Sequence, residues 1–345
     1  MNKKERGERI RRQILLDVGN HASDLTKHIA HKFGITSQAV NHHVQRLERG
    51  GWLLSEGRGK GKRYFPGDLR RFEATISLDG DVSEDVLWRE SFSHVFEGLS
   101  QRVFDICQYA FTEMVNNAID HSGGEHVTVS VIRDKMFVHI VVVDDGEGIF
   151  RKIKRMCGLP DERQALLELS KGKLTTDPEH HTGEGIFFTS RLCDVFEIVS
   201  TGVKFCHDDG RPYDFIFATG LAAEDVGTMV SMCIRRDTDR AIQSVFDEFA
   251  GPDEYQFTKT VVPVRLAQYE HEKLVSRSQA KRLLLRIDRF KHVIFDFDGV
   301  KAIGQAFADE IFRVYAREHP DIALLPVHMA PDVAKMVKRA LGQAQ

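Results

Sequence analysis

No stretch of this sequence approaches the roughly 18 to 20 consecutive apolar residues that cross a bilayer, so no membrane-spanning helix and no membrane partner is expected. The opening Met1-Asn2-Lys3-Lys4-Glu5-Arg6 carries charge with no apolar segment behind it, so no signal peptide is expected either. Cysteine is sparse. Cys107, Cys157, Cys193, Cys206 and Cys233 are scattered and form no CxxC pair. That spacing argues against a disulfide framework or a zinc site, fits a reducing cytosol, and makes a cytoplasmic location the expectation. Internal repeats and low-complexity segments are also missing. What is present is an ordinary globular composition, 42% hydrophobic over 345 residues, enough chain for about two or three domains.

Charge is unevenly spread. Residues 1–66 hold 14 Lys/Arg against 6 Asp/Glu, a net of +8, whereas the remainder carries −11. A basic head on an acidic body is the footprint of a nucleic-acid-binding N-terminal domain. Helices are expected over 7–18, 24–32 (capped by Ser23) and from Thr36 or Ser37 to Arg49, where Val40, Val44 and Leu47 recur at helical spacing. Two short strands follow, 52–55 and 63–65, around the glycine-rich basic tip 56–62. This order resembles a winged helix-turn-helix, whose third helix enters the major groove. On that resemblance Ser37, Gln38, Asn41, His42 and Arg46 would face base edges of double-stranded DNA, and Arg58, Lys60, Lys62 and Arg63 would touch phosphates. A solvated basic face, or a winged helix used for protein contact, is the competing reading.

The second block, 67–237, carries the chemistry. In Phe111 to Ser122, the residues Phe111, Met114, Val115, Ala118 and Ile119 form an apolar stripe, while Glu113, Asn117 and His121 share another face at i, i+4 and i+8. Taken alone, that polar face suits plain solvent exposure equally well. The apolar strand 137–143 then ends in Asp144-Asp145-Gly146-Glu147-Gly148-Ile149. A carboxylate at such a strand end can accept the exocyclic amine of adenine, while guanine would present an acceptor there and leave it unpaired. Next, Gly183-Glu184-Gly185-Ile186 opens a helix, whose free N–H groups suit phosphate. Gly227-Thr228 begins a late strand, where a hydroxyl could reach the ligand.

In combination and order, these boxes resemble the GHKL superfamily of ATP-binding domains (gyrase, heat-shock chaperone, histidine kinase, mismatch-repair ATPase) over Val103 to Arg235. The resemblance implies a Bergerat-type α/β sandwich that binds ATP and Mg²⁺. It implies that Asn117 ligates magnesium, that Glu113 orients or deprotonates the attacking nucleophile, and that Asp144 holds adenine, with Gly146, Gly148 and Ile149 shaping its pocket. Gly183, Gly185 and Ile186 would line the phosphates beneath a mobile lid over 150–182, and Thr228 would support the nucleotide. His121 makes the helix more similar to that of anti-sigma-factor serine kinases than to that of histidine kinases. His94, the upstream histidine, lacks the acidic neighbour and proline of a phospho-acceptor box.

The third block, 238–345, alternates strands and helices after a connecting helix over 239–249, which suggests a small α/β sheet. His292 to Val300 is similar to the first motif of haloacid-dehalogenase phosphatases, but only 47 residues follow Asp298, too few for that core. The strand ending in Asp296-Phe297-Asp298 and the run Gly299 to Phe307 resemble a STAS-like domain, the fold of anti-sigma-factor antagonists. Phosphorylated members open the following helix with Ser or Thr; Ile303 to Ala308 has neither. The block would serve as a protein-partner or homodimer surface. The whole reads as a multidomain α+β chain: winged helix-turn-helix (1–66), ATP-binding domain (67–237), STAS-like domain (238–345). Its expected work is that of an ATP-switched regulator with slow turnover. A serine/threonine kinase acting in trans and a non-hydrolysing scaffold are the alternatives.

Overall fold

The structure, a computed structural model, describes residues 3–80, 82–174, 183–210, 215–218, 227–251, 254–268 and 272–342. It describes their side chains except at positions 3–5, 60, 215–218, 251 and 254–256. Three helices, α1 (Lys3–Asp17), α2 (Leu25–Phe33) and α3 (Ser37–Arg49), precede an antiparallel hairpin, β1 (Leu53–Glu56) and β2 (Arg63–Pro66). Of Thr36 and Ser37, Thr36 caps α3: its hydroxyl accepts from the Ala39 N–H at 3.2 Å. The expected Ser23 cap does not. Asp24 takes the capping position without a side-chain bond, its carboxylate held instead by His21 at 3.1 Å. Ile10, Ile14, Leu25, Ile29, Val40, Val44, Leu47 and Tyr64 form a core of their own beneath these elements.

A seven-stranded antiparallel sheet follows, in the order β3 (Arg70–Ser77), β4 (His126–Arg133), β5 (Phe137–Asp144), β9 (Thr228–Arg235), β6 (Val195–Ser200), β7 (Val203–Asp208), β8 (Phe215–Ala218). Between β3 and β4 run α4 (Glu84–Leu87), a π-helical turn Trp88–Phe92, α5 (Ser93–Phe96) and α6 (Gln101–His121). Helices α5 and α6 are separate: Glu97 leaves helical dihedrals, and Ser100 caps α6 by accepting from the Val103 N–H. The apolar stripe of α6 (Val103, Ile106, Phe111, Met114, Val115) is fully buried on the sheet. Each such large side chain contributes about 1.5–3 kcal/mol. Among the described residues, only one face of the sheet is fully covered. Although almost every residue of β5 is apolar, it alternates buried and accessible residues, with Val143 38% exposed.

The stretch expected as a lid contains two helices, α7 (Ile149–Cys157) and α8 (Glu162–Lys171); residues 175–182, with His181 and Thr182, lie outside the described residues. Helix α9 (Gly185–Leu192) leads into β6. Beyond the sheet lie α10 (Ile242–Phe249) and a short ladder of β10 (Ala250–Gly251) and β11 (Glu254–Phe257). A parallel three-stranded sheet follows, β12 (Lys259–Pro263), β13 (His292–Asp296) and β14 (Ala323–Val327) in that order. Its helices are α11 (Arg277–Leu284), α12 (Gln305–Asp309) continuing through a π-helical segment Glu310–Tyr315 into α13 (Ala316–Glu318), and α14 (Pro331–Gly342). One buried apolar cluster runs without interruption from Phe72 through Phe187 and Phe257 to Ala340, so the two sheets share a core. Among the described residues no helix is long and apolar enough to cross a membrane.

Candidate functional site

One cavity gathers most of the nucleotide residues expected from the sequence. It lies between α6, the end of β5, the start of β9, α7 and the start of α9. Glu113, Asn117 and His121 line it from α6, Asp144 from β5, and Thr228 from β9. Gly183, Gly185 and Ile186 close one side and Ile149 another. The helical spacing of α6 turns the three polar residues inward together, because its other face is committed to the sheet.

Asp144 is buried at the strand end, directly across the ladder from Thr228. Its Oδ1 accepts from the Gly146 N–H at 3.0 Å and the Thr228 N–H at 3.1 Å. Burial pushes its carboxyl above the usual carboxylate range, against the pull of those two bonds. The Thr228 hydroxyl accepts from the Ile149 N–H at 2.9 Å, fastening the loop after β5 to β9. Gly146 and Gly148 thus shape that loop and do not line the cavity. Gly227, before Thr228, has φ +106°, and a Cβ there would lie 2.1 Å from the Asp144 carbonyl oxygen. Only glycine permits β9 to start this close to β5.

Glu113 sits against the N-terminus of α9. A Cβ on Gly185 would fall 2.0 Å from Glu113 Oε2, so the absence of a side chain at 185 makes room for the carboxylate. Its negative charge is favoured near the positive helix end. One turn earlier, burial and the neighbouring Glu113 and Glu184 push the Tyr109 hydroxyl above its ordinary pKa.

Asn117 presents the clearest sign of a missing partner: its Nδ2 is buried with no hydrogen bond among the described residues. An unpartnered buried amide costs about 1–3 kcal/mol, and the cavity it faces could supply the partner. Turning the amide over would offer Oδ1, a hard oxygen ligand of the kind Mg²⁺ takes when phosphates and waters complete its shell. The residues present therefore fit a magnesium–phosphate group.

Sequence reasoning missed several walls. Met114, Ala118, Val142 and Val230 make the apolar floor, and Leu169 and Leu174 reach in from α8 and the segment after it. Lys152 on α7 is, among the described residues, the one lysine or arginine lining the cavity; its Nζ donates to the His121 carbonyl at 2.7 Å. Its position three residues after Ile149 on a helix was the available signal.

In the head, Ser37, Gln38, Asn41, His42 and Arg46 are all exposed on α3, with Asn41 accepting from Thr26 at 3.4 Å. Arg46 borders a cleft against β3 that also contains Arg12, Trp52 and Arg71. Arg58 and Arg63 are exposed on the hairpin. Lys62 is partly buried, donating to Glu48 at 3.0 Å and lying over the Tyr64 ring, so it is not a freely projecting cation. The Lys60 side chain lies outside the described residues. His94 is packed edge-on against Phe72. In the C-terminal unit, Asp296 accepts from the Asp298 N–H and from His328, both at 2.9 Å, as a turn after β13.

No curated protein matches the chain. Residues 84–206 match the family model described as a histidine kinase-like ATPase domain, and residues 279–334 that of a STAS-like domain of unknown function. Thr228 and Val230 lie beyond the first match, so the cavity is completed by a strand that the match does not reach. The chain thus carries a histidine kinase-like ATPase domain, of ATP-binding type, followed by a STAS-like domain.

Proposed function

We propose that this chain is an ATP-switched regulator, divided at 66/67 and 237/238 into a DNA reader, a nucleotide domain and a STAS-like interaction unit. The observation that carries the nucleotide part is the convergence of Asn117, Asp144 and Thr228 on one cavity, with the Asn117 amide left unpartnered there. In this reading Asp144 accepts the adenine amine, Asn117 holds Mg²⁺ at the phosphates, and Glu113 positions the attacking water for slow hydrolysis. Bound Mg²⁺ would neutralise phosphate charge. The Lys152 ammonium adds a fixed cation to the same wall.

The head supports DNA binding as a winged helix-turn-helix through its three helices and hairpin, its net +8 charge, and the exposed polar face of α3. Calorimetric titration with Mg²⁺-ATP tests the site. Operator affinity at fixed salt, with ATP, ADP and no nucleotide, tests the switch; three identical affinities would falsify the coupling. A kinase acting in trans is favoured by one observation, the position of His121 in the cavity beside Asn117. The STAS-like unit in this chain is no substrate for such a kinase at Ile303 to Ala308, which lacks a hydroxyl. Labelled ATP and separate STAS-type proteins would reveal transfer in trans.

A further inference from the structure

Helix α8 has no exposed side: every residue from Gln164 to Lys171 is buried, charged ones included. Its Leu169, and Leu174 just beyond it, form walls of the nucleotide cavity. The C-terminal unit satisfies several of its polar atoms. Gln164 donates to the Arg282 carbonyl at 3.1 Å, and Lys171 Nζ to the Leu285 carbonyl at 2.8 Å. Thr260 donates to the Lys171 carbonyl at 2.6 Å.

Within this seam Glu168 and Lys171 form an ion pair at 2.7 Å, 1% and 2% exposed, with the Arg286 guanidinium 4.0 Å from Glu168. Burial pushes Glu168 up and Lys171 down, so each stays charged by virtue of the other. Next to Leu174, the Lys173 carbonyl accepts from Arg289 at 2.9 Å and from Arg286 at 3.4 Å, while Lys173 Nζ donates to the Arg289 carbonyl at 3.1 Å. Lys173 (φ +52°) and Arg286 (φ +59°) both hold left-handed backbone that side chains rarely adopt. Two strained residues in contact across one seam indicate geometry imposed by their surroundings.

We infer that Arg286 and Arg289 of the STAS-like domain are positioning residues for the nucleotide site, holding Leu169 and Leu174 in place as its walls. The inference rests on the ATP reading above and gives the domain of unknown function a task within its own chain. By linkage, whatever loosens the seam weakens ATP binding, and bound ATP tightens the seam.

The test uses the full chain, with Mg²⁺-ATP affinity by calorimetry and amide hydrogen exchange over 282–290 with and without Mg²⁺-ATP. In the wild type, ATP slows exchange in that segment. R286A/R289A is expected to bind at least ten-fold more weakly with no ATP-dependent protection there. R286K/R289K, which keeps charge and a donor on each side chain, is expected to recover most of both. R289A alone alters an exposed side chain and gives a several-fold loss if the double variant fails to fold. Equal ATP affinity and equal protection in R289A or R286A/R289A overturn the inference while leaving the ATP site standing. A wild-type chain that does not bind ATP overturns the site, and the inference with it.

Discussion

Asp144→Asn separates nucleotide recognition from folding at one atom. Oδ1 of Asp144 accepts two backbone N–H bonds, at 3.0 and 3.1 Å, that hold the loop and the start of β9. An asparagine keeps that acceptor, so the architecture should persist. The change falls on the other oxygen, which becomes an NH₂ facing the adenine amine, donor against donor. Loss of a charged hydrogen bond costs about 1.5–3 kcal/mol, which is roughly a ten- to 150-fold rise in Kd for ATP. Guanine presents an acceptor at the same place, so ATP-over-GTP preference should fall as well. Stability should move the other way. Burial raises the Asp144 pKa in the folded chain, so ionising it above the ordinary carboxylate pKa of about 3.9 costs folding free energy that the neutral amide does not. The Tm of the variant should therefore equal or exceed that of the wild type. The same shift sets a pH signature. Wild-type affinity should decline as pH falls through a window above about 4, because the acceptor protonates, and the variant should be flat there. Calorimetry from pH 8 to 4 with a thermal melt at each point measures all of this. Unchanged ATP affinity in a folded variant would refute the assignment of Asp144.

Three further outcomes follow from the same geometry. Glu113→Ala should leave Mg²⁺-ATP affinity within about threefold while removing phosphate release, since loss of a group that acts only in the transition state leaves ground-state binding intact; turnover at the wild-type rate would remove Glu113 from catalysis. Gly227→Ala forces φ +106° on a side-chain residue and drives its Cβ to within 2.1 Å of the Asp144 carbonyl, so urea unfolding should show a loss above the ~1–3 kcal/mol of backbone strain alone. Burial, with Arg70 and Arg12 nearby, lowers the His94 pKa to about 4. The unfolded chain takes that proton near 6.5, so stability should fall as pH drops from 7 to 4, by up to about 3 kcal/mol; a profile of the same slope in His94→Phe would show that other groups titrate.

The sequence disclosed those parts of the site whose chemistry demands unusual residues in fixed places. Asn117 on a helix whose other face is apolar, Asp144 at a strand end, and Gly183 and Gly185 before a helix all line the cavity because each is constrained locally. The parallel sheet β12-β13-β14 and its helices were legible from alternation, since each element carries its own periodic stripe. Legibility ended where partners are distant in sequence. Strand β3 alternates Phe72, Ala74 and Ile76 with the polar Arg71, Glu73, Thr75 and Ser77, and its pairing with β4 depends on partners about 50 to 60 residues away. Lys152 and the walls Leu169 and Leu174 sat in the stretch 150–182, which the resemblance gave only as a mobile lid, with no residue in it singled out. The acceptors that make the burial of Gln164 and Lys171 on the same helix as Leu169 tolerable, the Arg282 and Leu285 carbonyls, lie more than 110 residues further on.

That last failure bears on how a signal could cross the chain. A polar helix buried on every side is stable only while its partners stay in place; removal of the C-terminal unit takes Arg286 from Glu168 and the Leu285 carbonyl from Lys171. Such an element tolerates two arrangements, docked or released, better than it tolerates intermediate positions. The shared core between the sheets favours the docked one. A partner protein that grips the STAS-like unit and shifts Arg286 by an ångström would therefore act on Leu174, and so on ATP, without approaching the cavity. Reciprocity fixes the size of the effect: the factor by which such a partner changes ATP affinity equals the factor by which ATP changes the partner's. Measuring both factors on one preparation would distinguish this direct mechanical route from two independent binding events, which would leave both factors at one.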